Sequence, residues 1–244
     1  MLPTSGRFMP AWRAYSFRME CFKMDALTER IVTGDGSHSL LRVDLNETYH
    51  STKGAIQEAR HVYISRGLDS CSTDASPLHL FEMGIGTGLN ALLAFDWATR
   101  QQRKVVYYGI DNTVLPIAIL NDLNYAQTLD LKPAFSAFHE AEWGIPHSLS
   151  QYFSFVKIEQ HLEDYVHTVN YDCVFYDAFA PKYQPEVWDS NILATIYSHL
   201  NNEGVFVTYC CSGKLVRFFR SLPVTVNKLP GPPGKREMLQ IINH

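Results

Sequence analysis

A glycine-rich turn at positions 82–90 constrains the fold of this 244-residue chain more than any other feature. The turn reads E-M-G-I-G-T-G-L-N and joins a predicted strand at 78–83 to a predicted helix at 87–99. Glycine lets the backbone adopt positive φ and approach a ligand without a Cβ clash. In open α/β sheets, ligands bind beyond the carboxyl ends of the strands. The turn therefore predicts a Rossmann-like α/β domain with a ligand site after its first core strand.

Strands and helices alternate along the rest of the core. The predicted elements are strand 78–83, helix 87–99, strand 105–110, helix 115–125, strands 153–158 and 171–176, helix 191–200, strand 205–210, helix 214–221, and strands 224–229 and 237–242. Strands such as V-V-Y-Y-G-I are apolar on both faces, which together with intervening helices indicates a mostly parallel sheet. The last two strands flank the short turn P-G-P-P-G, so they must be antiparallel. We expect a mostly parallel sheet that ends in an antiparallel hairpin.

The segment before the core predicts a smaller structure. Two β-rich stretches flank Asp35-Gly36, which is a strong hairpin signal. Apolar residues at helical spacing predict one amphipathic helix over 54–68. We therefore expect three parts: a disordered basic arm at 1–23, a hairpin and helix packed on the core at 24–76, and the core itself at 77–244.

Composition favours a globular enzyme in the cytoplasm. The chain is 46% hydrophobic and 19% charged with a net charge of −4, so any attraction to nucleic acid must come from a local patch. Its five cysteines form no C-x-x-C pair and have no metal-ligand spacing with histidine, so we expect reduced thiols and no metal. No apolar run reaches the roughly 20 residues of a membrane helix, so we expect no membrane association.

Two acids follow predicted strands at the ligand edge of the sheet. Glu82 lies two positions before the first glycine and suits the cationic amino group of a methionine moiety. Asp111 ends the second strand, where it could accept hydrogen bonds from a ribose diol or cap the next helix. The dinucleotide motif G-x-G-x-x-G/A needs its third glycine at Leu89, which counts against NAD and FAD.

A third acid, Asp177, ends the fourth strand in the motif Y-D-A-F-A-P. An alkylamine with a pKa near ~10 is mostly protonated at neutral pH, and its lone pair must be freed before it attacks a methyl group. Asp177 could accept the amine proton or hold the amine while water takes it. The alternative is an aspartate that only caps the following turn.

Four blocks of the sequence resemble, in the same order, the methyltransferase part of the MnmC-type enzymes, which complete 5-methylaminomethyl-2-thiouridine at the wobble position of bacterial tRNA. They are Y-H-S-x-x-G-A-x-Q-E-A-R-H-V-Y at 49–63, E-M-G-I-G-T-G-L-N at 82–90, Y-D-A-F-A-P-K-Y-Q-P-E-V-W at 176–188 and P-G-P-P-G-K-R-E-M at 230–238. The resemblance spans residues 29–242. It implies the class I methyltransferase fold, S-adenosylmethionine as the cofactor and tRNA as the partner.

The resemblance also implies site residues. The cofactor would be bound by Glu58, Glu82, Gly84, Gly86, Gly88, Asn90 and Asp111. Glu58 would lie near the methionine end, and Asp177 would face the amine. Relatives usually have an aspartate near the adenine where this chain has His161. Either His161 takes that role, or a nearby acid does: Glu159, Glu163 or Asp164.

A basic tract near the end of the chain favours a tRNA partner. Between positions 213 and 236 the sequence has no acid and six positive charges: Lys214, Arg217, Arg220, Lys228, Lys235 and Arg236. Such a tract suits a phosphate backbone, although a solvated helix and a charged edge strand would look the same. Of these we expect Lys235 and Arg236 to contact tRNA. Near the acceptor motif we expect Pro181 at the substrate site, where Phe179 and Trp188 could stack a flipped base or pack in the core.

The implied reaction is methyl transfer to the primary amine of 5-aminomethyl-2-thiouridine in tRNA, giving 5-methylaminomethyl-2-thiouridine. It implies a functional link to the enzymes that make the aminomethyl precursor. The bifunctional relatives append a flavin oxidase, and because this sequence stops at His244 we expect no flavin. The alternatives are a methyltransferase for a small-molecule or protein amine, a nucleoside-binding module without turnover, and an NAD-dependent oxidoreductase, which Leu89 disfavours.

Overall fold

The computed structural model describes residues 27–72 and 76–244. The predicted arm at 1–23 lies outside these residues, as do the first residues of the segment 24–76. In the described part, no helix is long and apolar enough to cross a membrane.

A small antiparallel sheet opens the described chain. It contains β1 (Thr28–Val32), β2 (His38–Arg42) and β3 (Glu47–Thr48) in that order. The hairpin predicted at Asp35-Gly36 is confirmed, because Thr28 pairs with Arg42 and Val32 with His38. Asp35 accepts hydrogen bonds from the backbone of Ser37 at 3.0 Å and Gln57 at 2.9 Å, so its carboxylate ties the hairpin turn to the following helix.

That helix differs from the prediction. One amphipathic helix was expected over 54–68, but the structure has α1 (Ala55–Ala59), which continues as a π-helix (Arg60–Ser65) and is followed by a 3₁₀ turn (Leu68–Ser70). The consecutive residues Val62, Tyr63 and Ile64 are all buried. A regular α-helix buries a stripe of residues three to four apart, so three consecutive buried side chains do not fit it.

The core is one eight-stranded sheet. Its strands are β4 (Leu78–Met83), β5 (Val105–Asp111), β6 (His147–Ser150), β7 (Phe153–Glu159), β8 (Tyr171–Tyr176), β9 (Leu200–Thr208), β10 (Val224–Pro230) and β11 (Glu237–Asn243). Their order is β10-β11-β9-β8-β4-β5-β7-β6. The five strands from β9 to β7 are parallel, and β6, β10 and β11 are antiparallel to their neighbours. The predicted mostly parallel sheet with a closing antiparallel hairpin is confirmed.

The remaining helices lie between these strands. They are α2 (Leu89–Gln101), α3 (Ile117–Asn121), α4 (Tyr125–Thr128), α5 (Lys132–Glu140), α6 (Ser190–Ser198) and α7 (Gly213–Arg220). The single helix predicted at 115–125 is wrong, because the chain breaks between α3 and α4. At this break the side-chain amide of Asn124 accepts a hydrogen bond from His38 N at 2.8 Å and donates one to Gly36 O at 2.9 Å. These bonds hold the break against the N-terminal sheet.

Both faces of the sheet carry a buried core. On one face Leu40 and Ala55 pack in the same buried cluster as Leu92 of α2. On the other face Leu193 of α6 and Phe219 of α7 are part of a second cluster. The N-terminal sheet and α1 therefore pack on the same side of the core sheet as α2, beside the glycine turn.

Candidate active site

A cavity of about 690 Å³ lies beyond the carboxyl ends of β4, β5 and β8. Its lining comes from the glycine turn, the residues after β5 and β8, Tyr209 after β9, the segment 42–53 and the turn before β11. Strand β4 pairs with β5 on one side and β8 on the other, so the cavity sits at the centre of the parallel sheet. This is the position that the glycine-rich turn predicted for a ligand site.

Gly84 lets two walls of the cavity meet. Its φ is +89°, and a Cβ at this position would lie 2.5 Å from the carbonyl oxygen of Asp177. The Asp177 backbone also donates to the Met83 carbonyl at 2.9 Å. The turn after β4 is thus in van der Waals contact with the loop after β8, which only glycine permits at this distance.

Asp111 lines the cavity at the end of β5. Its Oδ2 accepts from Gly86 N at 2.9 Å and its Oδ1 from Thr113 N at 2.9 Å. Burial raises the pKa of this carboxyl, and the backbone donors of Gly86 and Thr113 oppose that shift. A carboxylate has about four lone-pair sites, so Asp111 keeps acceptor capacity for a ligand hydroxyl.

Glu82 and Asn90 lie beneath the cavity rather than in its lining. Glu82 is fully buried, and it accepts from the Tyr107 hydroxyl and from Asn90 Nδ2 at 2.8 Å. The same Asn90 amide donates to Asp177 Oδ2 at 2.8 Å. Burial raises the pKa of Glu82 well above its usual range. The structure therefore brings Glu82 to the site through Asn90. Gly88, at the start of α2, does not line the cavity either.

Asp177 lines the cavity directly after β8. Burial raises its pKa to about 7. The Tyr63 hydroxyl and the Asn90 amide lower that pKa, whereas the charge of Glu58 raises it further. Asp177 is consequently a carboxyl that exchanges a proton near neutral pH, which is the range a general base needs.

The loop after β8 is held from outside the cavity. Trp188 is only 4% exposed, and its indole Nε1 donates to the Phe179 carbonyl at 2.8 Å. The Tyr209 hydroxyl donates to the Ala178 carbonyl at 2.8 Å. The suggestion that Trp188 stacks a base is therefore wrong, because its ring packs in the core against Tyr176. Phe179 does line the cavity.

Pro181 lies between Ala180 and Lys182, which both line the cavity, but it is not part of the lining itself. His161 is further away. Its side chain is 60% exposed, and its Nδ1 lies 3.8 Å from Glu163 Oε1 and 3.4 Å from Asn112 Nδ2. Neither His161 nor the acids suggested in its place line the cavity, which has Asn112 there instead.

The segment 42–53 forms a wall that sequence reasoning missed. Tyr49 packs on the glycine turn, because a Cβ at Gly86 would lie 3.0 Å from its ring. The ring also meets Phe179 edge to face, with centroids 5.0 Å apart. Tyr49 thereby joins the cofactor side of the cavity to the loop after β8. In the sequence, Tyr49 is marked only by its position as the first residue of the block at 49–63.

Glu58 and Lys235 form an ion pair in the cavity wall. Lys235 Nζ lies 2.7 Å from Glu58 Oε2 and 3.7 Å from the centroid of the Tyr209 ring. Glu58 Oε1 accepts from Ser51 N at 2.9 Å. Lys235 was expected on a tRNA-facing surface, but its ammonium lines the cavity instead.

Two of the six positive charges of the basic tract are paired with acids that lie outside it. Lys235 pairs with Glu58, and Lys228 lies 2.6 Å from Glu237 Oε2. The other four charges are exposed: Lys214, Arg217, Arg220 and Arg236. Across residues 27–72 and 76–244, no three His, Cys, Asp or Glu side chains are grouped so that they could hold a metal ion.

Comparisons with known proteins agree with this architecture. Residues 149–243 match a family model described as S-adenosyl-L-methionine-dependent methyltransferase. The crystal structure of MnmC2 from Aquifex aeolicus aligns with a TM-score of 0.66 and 18% identity, covering 96% of this chain and 81% of that chain. At this identity the likeness shows the fold, which is that of the class I methyltransferases.

Similar sequences carry the name "tRNA 5-methylaminomethyl-2-thiouridine biosynthesis bifunctional protein MnmC". The protein of Leptospira borgpetersenii is 26% identical over 217 residues, covering 80% of this chain and 32% of the relative. The protein of Cupriavidus metallidurans is 26% identical over 225 residues, covering 86% of this chain and 33% of the relative. The chain thus spans about a third of the length of these curated relatives.

The cavity fits S-adenosylmethionine. Its volume of about 690 Å³ lies within the range of roughly 300–1,000 Å³ that small-molecule sites occupy. Asp111 offers acceptors for a ribose diol, and the glycine turn lets the backbone come close to a ligand. The motifs, the fold and the family match over residues 149–243 all support an S-adenosylmethionine-dependent methyltransferase, and the chain resembles the MnmC-type enzymes.

Proposed function

We propose that this enzyme methylates the primary amine of 5-aminomethyl-2-thiouridine at the wobble position of tRNA and so forms 5-methylaminomethyl-2-thiouridine. The observation that carries the proposal is Asp177, a carboxyl with a pKa raised by burial to about 7 at the wall of the cofactor cavity. The names of the similar proteins supply the substrate. Separate enzymes would have to supply the aminomethyl precursor.

Different residues would bind the cofactor, accept the proton and position the base. When bound, S-adenosylmethionine supplies a methyl group on a positively charged sulfur, which an amine lone pair attacks. Asp111 would hold the ribose, with Gly84 and Gly86 beneath the cofactor. Asp177 would accept a proton from the substrate ammonium and so free its lone pair. Asn90 holds Asp177 in place at 2.8 Å, and Glu82 holds Asn90.

A tRNA would approach from the side of the exposed positive charges. Lys214, Arg217 and Arg220 lie on α7, whose opposite side buries Leu215 and Phe219. Positive side chains on a helix can neutralise phosphates of a nucleic-acid backbone without reading its sequence. Phe179 and Tyr49 are aromatic rings in the cavity wall on which a displaced base could stack.

A methyltransferase for a small-molecule or protein amine is the second candidate. Two ion pairs favour it. Because Lys228 and Lys235 are each paired with an acid, fewer charges of the basic tract are free to contact a phosphate backbone. The same Asp177 chemistry would serve such a substrate, whereas the exposed charges of α7 would have no role in it.

The deciding experiment measures methyl transfer from labelled S-adenosylmethionine. Three acceptors are compared: tRNA carrying 5-aminomethyl-2-thiouridine, the same tRNA without the aminomethyl group, and the free 5-aminomethyl-2-thiouridine nucleoside. Nucleoside mass spectrometry should find 5-methylaminomethyl-2-thiouridine in the first tRNA alone. Equal transfer to the free nucleoside would favour the small-amine candidate, and transfer to none of them would refute the proposal.

A further inference from the structure

The cavity contains a positive charge that the proposed chemistry has not used. Lys235 reaches the cavity from the turn before β11, and its ammonium sits between Glu58 at 2.7 Å and the face of the Tyr209 ring at 3.7 Å. A carboxylate beside an aromatic face is a common way to bind an ammonium group. Here the ammonium belongs to the protein itself.

Glu58 is the second carboxylate beside the place where an amine would react. Its side chain is only 7% exposed, and both its oxygens are engaged, by Ser51 N and by Lys235 Nζ. A buried carboxylate without a counter-charge would attract any cation that enters the cavity. It would compete with Asp177 for a substrate ammonium.

We propose that Lys235 neutralises Glu58 and so directs an incoming amine to Asp177, which makes Lys235 a specificity-determining and positioning residue of the methyl-transfer site. This inference rests on the proposed function, because it concerns the amine that Asp177 receives. Lys235 acts through the charge of Glu58 and through its own charge on Asp177.

The electrostatics of the site agree with this geometry. The charge of Glu58 raises the pKa of Asp177, and that of Lys235 lowers it. Other groups act on this centre as well: Tyr63, Glu82, Tyr107, Tyr209 and His50. Burial raises the pKa of the four acids and lowers that of His50 to about 4. Glu58 and Lys235 thus act on the pKa of Asp177 in opposite directions, and a substitution can remove either charge.

Three variants test the inference through the pKa of Asp177, read from ¹³C NMR of aspartate-labelled protein and assigned with Asp177→Asn. Lys235→Met removes the positive charge and exposes that of Glu58, so the pKa should rise by about one unit. Glu58→Gln should lower it. The double variant Lys235→Met/Glu58→Gln should return it close to the original value. This measurement needs no tRNA, so it stands even if the substrate assay fails.

The rate of methyl transfer should follow the same pattern. At pH 7, Lys235→Met should slow single-turnover transfer to the aminomethyl tRNA by about fivefold, because a one-unit rise from a pKa of about 7 lowers the ionised fraction of Asp177 from about a half to about a tenth. The rate should recover at higher pH, and adding Glu58→Gln should restore it. Lys228→Met is the matched control, since that lysine pairs with Glu237 at 2.6 Å on the neighbouring hairpin. An unchanged Asp177 pKa in both single variants would overturn the inference. So would a double variant as slow as Lys235→Met at every pH, which would indicate a purely structural ion pair.

Discussion

Two carboxyls, the buried Glu82 and the partly buried Asp177, share one amide at the centre of the site. Asn90 Nδ2 donates to Glu82 Oε1 and to Asp177 Oδ2, both at 2.8 Å. Burial raises the pKa of Glu82 well above its usual range and that of Asp177 to about 7. Glu82 fixes the same amide that holds Asp177. The arrangement keeps Asp177 free to ionise within the physiological pH range.

Asp177→Asn should separate binding from chemistry. The variant keeps the size and an acceptor oxygen for Asn90, but it cannot take a proton, so transfer should slow by ~10²- to 10⁴-fold. For the unchanged enzyme the rate should rise with pH through about 7, because the carboxyl must be deprotonated to act as a base. Single-turnover rates from pH 5 to 9 test both expectations.

Affinity for S-adenosylhomocysteine should change little in the same variant. Partial recovery at high pH is expected as well, because free amine then becomes available without the base. A variant with the original rate at neutral pH would remove Asp177 from the mechanism. One that no longer binds S-adenosylhomocysteine would assign it a structural role.

At the scale of elements, the site depends on contact between two loops from adjacent strands. Asp177 N donates to Met83 O, and Gly84 N donates to Ile110 O, each at 2.9 Å. The glycine turn after β4 is therefore bonded to the strand on each side of it. Moving the turn would move Asp177, since both loops leave the sheet at the same edge.

Gly84→Ala tests this contact. The new Cβ would lie 2.5 Å from the Asp177 carbonyl oxygen at a φ of +89°, so either loop must shift. We expect methyl transfer and S-adenosylhomocysteine affinity to fall at least tenfold, because a shift of this size disturbs both walls. Gly144→Ala is the matched control, with φ of +78° and nothing within 4 Å of the added atom. Isothermal titration calorimetry on both variants should show the loss at Gly84 alone.

Local sequence pattern predicted several of the core strands closely. Strand β4 was predicted at the residues it occupies, and the hairpin of β10 and β11 within one residue at its end. The break between α3 and α4 was missed because Asn124 bonds to His38, 86 residues away. The short edge strand β6 was missed as well, since His147–Ser150 shows no apolar alternation. Neither feature can be found from local propensity alone.

The sequence predicted those cavity residues that lie at the carboxyl ends of the parallel strands. Asp111, Asp177 and Phe179 follow strands and do line the cavity. Lys235 was assigned to a surface because its partner Glu58 is 177 residues away, and no spacing rule connects them. Tyr49 reaches the cavity through the fold of the N-terminal sheet, which sequence patterns do not orient against the core.

The exposed charges of α7 carry a prediction about nucleic acid. If Arg217 and Arg220 contact phosphates, Arg217→Gln/Arg220→Gln should weaken tRNA binding and reduce its logarithmic salt slope by about two. Arg30→Gln/Arg100→Gln is the control, because these arginines pair with acids elsewhere on the surface. Filter binding across salt concentrations measures the slope. Equal slopes for both variants would mean that α7 does not face the tRNA.

Over the whole molecule, distant parts of the chain meet around the cavity. The turn before β11 touches the N-terminal segment, because a Cβ at Gly234 would lie 2.9 Å from Lys53 Cγ. Beside them His61 Nε2 and the Pro230 carbonyl oxygen are 2.8 Å apart, and Lys235 pairs with Glu58. The N-terminal sheet is thus part of the cavity wall, and a ligand would contact it together with the core.

Ligand binding should therefore slow amide exchange in segments near both ends of the described chain as well as in the glycine turn. A ligand at 100 times its Kd stabilises the bound state by about 2.7 kcal/mol, and openings that break the site are suppressed by that amount. With saturating S-adenosylhomocysteine, amide exchange should slow in 42–53 and 231–235 as it does in 84–90. The edge strand β6 does not line the cavity and serves as the internal control. Tyr49→Ala should reduce the protection of 42–53, because its ring joins that segment to Gly86 and Phe179. Protection confined to the glycine turn would show that the N-terminal sheet opens and closes independently of the ligand.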